Sequence, residues 1–105
     1  MNITDSFEKM LANGNDNPLL RFSLGNEYLK ANNMVLAVSH LRSAVAQDAS
    51  YSAAWKLLGK ALVQTEDFAG AKDAYAQGIS AANAKGDKQA AKEMAVFLWR
   101  LERDE

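Results

Sequence analysis

The 105-residue chain contains no cysteine, one histidine and one proline. Without thiols it has no disulfides, no thiolate nucleophile and no cysteine-ligated zinc or iron–sulfur site. The lone His40 cannot build a histidine-rich metal centre, so neither a metal nor a cofactor is expected. A basic excess is also missing: twelve Lys and Arg stand against thirteen Asp and Glu, for a net charge of -1. That balance speaks against nucleic-acid binding, which needs clustered cations to neutralise phosphates. No apolar run approaches the ~20 residues needed to cross a bilayer. The first ten residues carry Asp5 and Glu8 and lack the apolar stretch of a signal peptide. A cytoplasmic protein without a membrane partner is therefore expected, and the sequon Asn2-Ile3-Thr4 is read as accidental. Catalytic signatures are absent too: there is no glycine-rich phosphate loop and no Gly-x-Ser-x-Gly elbow. Glu27, Asp73 and Glu93 fall on separate segments and form no acid–base pair, so no catalytic residue is assigned and no enzyme is expected.

Alanine, the best helix former, occurs 19 times, and runs of alternating β-branched residues are missing. An all-α fold follows. Within it a period of 34 residues emerges: Leu24-Gly25 returns as Leu58-Gly59, Ala37 as Ala71, Leu41 as Tyr75, and Ala44 as Gly78. Small residues replace small ones and bulky apolar residues replace bulky ones. A repeated packing geometry demands that pattern.

These residues resemble the tetratricopeptide repeat, a helix–turn–helix whose signature is W-x2-L-G-x2-Y followed by A-x3-F. One copy reads Arg21-x2-Leu24-Gly25-x2-Tyr28 and Ala37-x3-Leu41, the other Trp55-x2-Leu58-Gly59-x2-Leu62 and Ala71-x3-Tyr75. The whole chain is similar to small free-standing bacterial proteins of this family. The resemblance implies a right-handed α–α superhelix of two hairpins, flanked by a short N-terminal helix and a C-terminal capping helix. The expected layout is 5–13 for the N-terminal helix, 18–51 and 52–85 for the repeats, and 87–103 for the cap. Asp5 and Glu8 read as a capping box, with Phe7, Met10 and Leu11 along one face of the first helix. Counting back one period makes that helix the second helix of a truncated repeat. Gly25 with Ala37, and Gly59 with Ala71, are expected at close helix crossings, with Trp55, Leu58, Leu62, Phe68 and Tyr75 filling the space around them. Lys92 and Glu93 stand one period after Leu58-Gly59, so the last helix is expected to lie outside the signature, its stripe of Ala90, Ala91, Met94, Phe97, Leu98 and Leu101 facing inward. His40 is expected on an outer face, solvated and without a partner.

The resemblance implies a non-catalytic module that binds a peptide segment of a partner protein on the concave side, lined by the first helix of each repeat. The groove positions are Leu19, Phe22, Asn26, Leu29 and Lys30 in the first repeat, and Ala53, Lys56, Lys60, Val63 and Gln64 in the second. Phe22 reads either as an anchor for a partner side chain or as packing against the N-terminal helix or Tyr28. Lys56 and Lys60, with Lys30, suit an acidic segment or a C-terminal carboxylate if they are not simply solvated. Of the carboxylate clamp by which some family members hold chaperones, only Asn26 matches. Trp99 lies off the inner stripe and reads as a second contact surface or as a ring stacked under Arg or Lys. Self-assembly, including a homodimer through Trp99 or the groove edges, is the alternative function; a regulatory subunit of an enzyme ranks third.

Overall fold

The computed structural model describes residues 2–103, which form six helices and, among these residues, no strand. They are α1 (Ile3–Ala12), α2 (Pro18–Lys30), α3 (Met34–Gln47), α4 (Ser52–Gln64), α5 (Phe68–Lys85) and α6 (Lys88–Arg103). Each helix packs on its neighbours in sequence, while α2, α4 and α6 also meet along one side. The result is a stack of helical hairpins wound into a superhelix, 42 × 29 × 18 Å in extent.

Local chemistry sets the helix starts. Asn17 accepts the Leu20 amide at 2.8 Å and Pro18 occupies the first turn, where its missing N–H costs nothing. Asn33, Asp67 and Asp87 accept the amides of Leu36, Gly70 and Ala90 in the same way. At α1 the cap is Asn2, which accepts the Asp5 amide at 2.9 Å. The expected Asp5–Glu8 box is not used, because Glu8 reaches across to Tyr28 instead.

Four helices end alike. Gly14, Asn32, Glu66 and Gly86 all have positive φ. The residue after each sends its amide back to a carbonyl five positions earlier, as in Asn33 to Tyr28 and Asp67 to Leu62, both 2.9 Å.

The crossings are as tight as the small residues suggest. A Cβ added at Gly25 would lie 2.5 Å from Leu41, and one at Gly59 would lie 2.5 Å from the Tyr75 ring. At Gly78 it would meet the Met94 sulfur and, at 2.9 Å, the Trp55 Cβ. Between these crossings Leu24, Leu41, Leu58 and Met94 are fully buried, each contributing roughly 1.5–3 kcal/mol of hydrophobic stabilisation.

Several expectations need correction. Phe68 is 44% exposed: as the first residue of α5 it projects past the end of α4 rather than between helices. Met10 is also 44% exposed, because α1 has no helix before it among the described residues. His40 is buried rather than solvated. Two side chains of α2 cover it: Tyr28 stacks on it at 5.5 Å, and Arg21 sits 3.2 Å from its Nδ1. Its Nε2 lies 3.9 Å from Glu8.

The last helix does keep the repeat register. Its fully buried Met94 takes the place of Leu24 and Leu58, and contacts Gly78. Two extra residues before α6 stretch the period from 34 to 36, so Met94-Ala95, not Lys92-Glu93, match Leu58-Gly59.

Candidate functional site

On the side where α2, α4 and α6 meet, the stack leaves a hollow of about 500 Å³ lined by Phe22, Ala53, Lys56, Leu57, Lys60 and Phe97. Positions 53, 56, 57 and 60 fall on one face of α4 by helical spacing. Phe22 comes from α2 and Phe97 from α6, so all three first helices contribute. The Phe22 ring is held by stacking on Tyr51, with centroids 5.1 Å apart. Its ring partner is therefore Tyr51, and the ring still borders the hollow. Phe97 tilts against Tyr75 at 5.5 Å. It also separates the hollow from a smaller one of about 180 Å³ lined by Val63, Tyr75, Phe97, Arg100 and Leu101.

Four of the ten expected groove residues, Phe22, Ala53, Lys56 and Lys60, are brought together here. Val63 borders the smaller hollow. Leu29 packs against the core and Asn26 is half-buried outside the lining. Leu19, 65% exposed, stands at the start of α2, and Gln64 is exposed at the end of α4. Lys30 is exposed and paired with Glu27 at 3.2 Å. Sequence reasoning missed Leu57 and Phe97 as lining residues. Leu57 was legible from its 3–4 spacing to Ala53 and Lys60, whereas Phe97 depends on the 36-residue register of α6.

The charge differs from a simple cluster of lysines. Lys56 Nζ lies 3.1 Å from a Glu93 carboxylate oxygen of α6, which neutralises it across the rim. Lys60 forms no ion pair among the described residues and is an exposed lining residue of the hollow. The site thus offers an apolar floor and one uncompensated cation. No group of three metal-ligating side chains occurs among the described residues. Trp99 lies away from the hollow, 54% exposed, with the Arg103 guanidinium 4.6 Å from its ring centroid. Its ring is thus both exposed and stacked under Arg103. Among the described residues no helix is long and apolar enough to cross a membrane.

Stacked hairpins with small-residue crossings and a hollow along their first helices define a helical-repeat scaffold. The chain is 54% identical over 99 residues to TPR repeat-containing protein PA0015 of Pseudomonas aeruginosa, covering 94% of each protein. The chain belongs to the tetratricopeptide repeat family. No family model matches it. Among solved structures it is similar to protein BPP2914 from Bordetella parapertussis, at 48% identity and a TM-score of 0.83, covering 99% of this chain and 90% of that one. A tetratricopeptide repeat domain protein from Salinibacter ruber is 29% identical with a TM-score of 0.79, covering 86% of this chain and 100% of its own. Domains of this family are in general non-enzymatic modules that bind proteins or peptides.

Proposed function

We propose that the chain is a non-catalytic interaction module that holds a peptide segment of a partner protein in the 500 Å³ hollow. The observation that carries this reading is the combination of an apolar floor, Phe22, Leu57 and Phe97, with the uncompensated Lys60 at its edge. Such a surface takes one large apolar side chain and one carboxylate about a turn away, whether an acidic residue or a chain terminus. Lys56 remains available as a second cation, because its exposed pair with Glu93 is worth little and exchanges readily.

The test is a titration of the 15N-labelled protein with capped peptides that carry one phenylalanine beside two aspartates. Amide shifts centred on residues 22, 57, 60 and 97, weakened several-fold by Lys60→Glu and by added salt, support the reading. Shifts centred elsewhere, or binding indifferent to Lys60→Glu, overturn it.

A further inference from the structure

One open surface is left by the groove. On the far side of α6 lies a hollow of about 330 Å³ lined by Ile79 and Asn83 of α5 and by Lys88, Ala91, Lys92 and Ala95 of α6. Its position follows from the repeat register. In the first hairpin Gly25 of α2 faces Leu41 of α3, and in the second Gly59 of α4 faces Tyr75 of α5. Ala95 is the matching small residue of α6, yet it is exposed, and no helix lies against it among the described residues. The hollow is thus the seat of the second helix of a third hairpin.

The other end of the stack shows the complementary feature. In register, α1 is a second helix: Phe7 corresponds to Leu41 and Tyr75, Ile3 to Ala37 and Ala71, and Met10 to Ala44 and Gly78. Ala37, Leu41, Ala44, Ala71 and Tyr75 are all buried, but Ile3 is 54% exposed and Met10 is 44% exposed. These two apolar side chains lie on the face of α1 that a preceding first helix would cover.

We infer that copies of this chain stack end to end, the α1 of one copy seating in the hollow on α6 of the next and completing its third hairpin. In that register Phe7 meets Ala95, as Tyr75 meets Gly59, and Met10 meets Ala91, as Gly78 meets Trp55. The bulkier Ile3 and Met10 suit a seat that is still open. Charges agree with the antiparallel pairing of a hairpin. Lys88, at the start of α6, falls beside the carbonyl end of α1, where a cation is favoured. The contact is heterologous, so every assembly keeps one free seat at one end and one free α1 at the other, and association is open-ended. It leaves the concave hollow uncovered and does not depend on the peptide-binding reading.

Sedimentation velocity of the 105-residue chain over a wide concentration range tests this. Growth beyond a dimer at high concentration is expected. Ala95→Arg blocks the seat and Met10→Arg blocks α1; both positions are exposed, so both variants should melt like the parent. Each variant alone should be monomeric, and a mixture of the two should form a 1:1 dimer through the one intact pair of surfaces. Ile3→Arg should act as Met10→Arg does. A monomer at every concentration, a closed dimer that survives both substitutions, or variants that fail to pair on mixing would overturn the inference.

Discussion

The two hairpins share one backbone geometry and differ in what lies between their helices. In the second, the interior near the crossing is Trp55, Leu62 and Ala74, apolar except for the Trp55 ring N–H, which donates to the Ala49 carbonyl at 2.8 Å. In the first, the same three positions hold Arg21, Tyr28 and His40. Arg21 donates to His40 Nδ1 at 3.2 Å and pairs with Asp16 at 2.8 Å, while the Tyr28 hydroxyl donates to Glu8 at 2.6 Å. Among the described residues no buried side-chain nitrogen or oxygen lacks a partner. The geometry is therefore set by the glycine and the bulky residue opposite it, and the flanking positions tolerate polar or apolar chemistry provided every polar atom is satisfied. The polar version needs α1, which supplies Glu8. The apolar version needs only its own hairpin and α6.

Overpacking the crossings probes the shared part of this geometry and should have the largest effect. Gly59→Leu and Gly25→Leu should both destabilise, by about 1–3 kcal/mol or somewhat more. Gly59→Leu should be the worse of the two. Both partners are buried, but the Tyr75 ring opposite it is rigid, whereas the branched Leu41 side chain opposite Gly25 has further rotamers. At ~4–8 °C per kcal/mol for a domain of this size, the difference is readable in thermal melts. Equal losses would mean that the two crossings are not set by the bulky partner.

A pH series separates the two interiors. Burial is the main cause that lowers the His40 pKa below its ordinary 6.5, opposed by Glu8 and assisted by Arg21. The unfolded chain then binds a proton that the folded chain resists. Stability from this site is complete above pH 6.5 and is lost as pH falls from 6.5 through the lower folded value. Protonated Nδ1 also cannot accept from Arg21, so the loss should centre on α1 and the first hairpin. Urea midpoints measured from pH 7.5 to 5 should fall for the parent and fall less for His40→Gln, which keeps an acceptor without titrating. Asp16 contributes in a separate, more acid window. Arg21 and Gln47 hold its pKa well below 3.8, so its contribution is lost only as pH drops below that value. Identical slopes for parent and His40→Gln would remove the pH asymmetry between the hairpins.

How much of this was legible in the sequence depends on how local each cause is. The crossings were, because glycine at a fixed distance from a bulky residue leaves few packing solutions. So were the asparagine and aspartate caps, which act within three residues. The burial of His40 was not: its own helix places it on an outward face, and it is covered by Tyr28 and Arg21 of α2 together with Glu8 of α1. The role of Ala95 was hidden by a fixed 34-residue count, since two residues inserted before α6 shift every later position. In the groove, Phe22, Ala53, Lys56 and Lys60 were among the positions that the family resemblance implies, and all four line the hollow. The neutralisation of Lys56 by Glu93 was not legible, as it joins residues 37 positions apart on different helices.

The smallest expected effect lies in the turns, where the two hairpins hold different side chains in the same left-handed conformation. Asn32 and Glu66 both close a helix with a left-handed backbone, at φ of 61° and 62°. Asparagine tolerates that region because its short amide bonds locally, whereas glutamate bears a steric cost of order 1 kcal/mol. Glu66 keeps the position because the fixed crossing and the Asp67 amide bond to Leu62 leave the turn no other path. Glu66→Asn should therefore stabilise by a few tenths to 1 kcal/mol, and Asn32→Glu should destabilise by a similar amount. The double exchange should return the melting midpoint to that of the parent, since the turns are separate sites whose effects add. If Glu66→Asn lowers the midpoint, the glutamate side chain makes a stabilising contact of its own, and the turns are not equivalent despite their matching backbones.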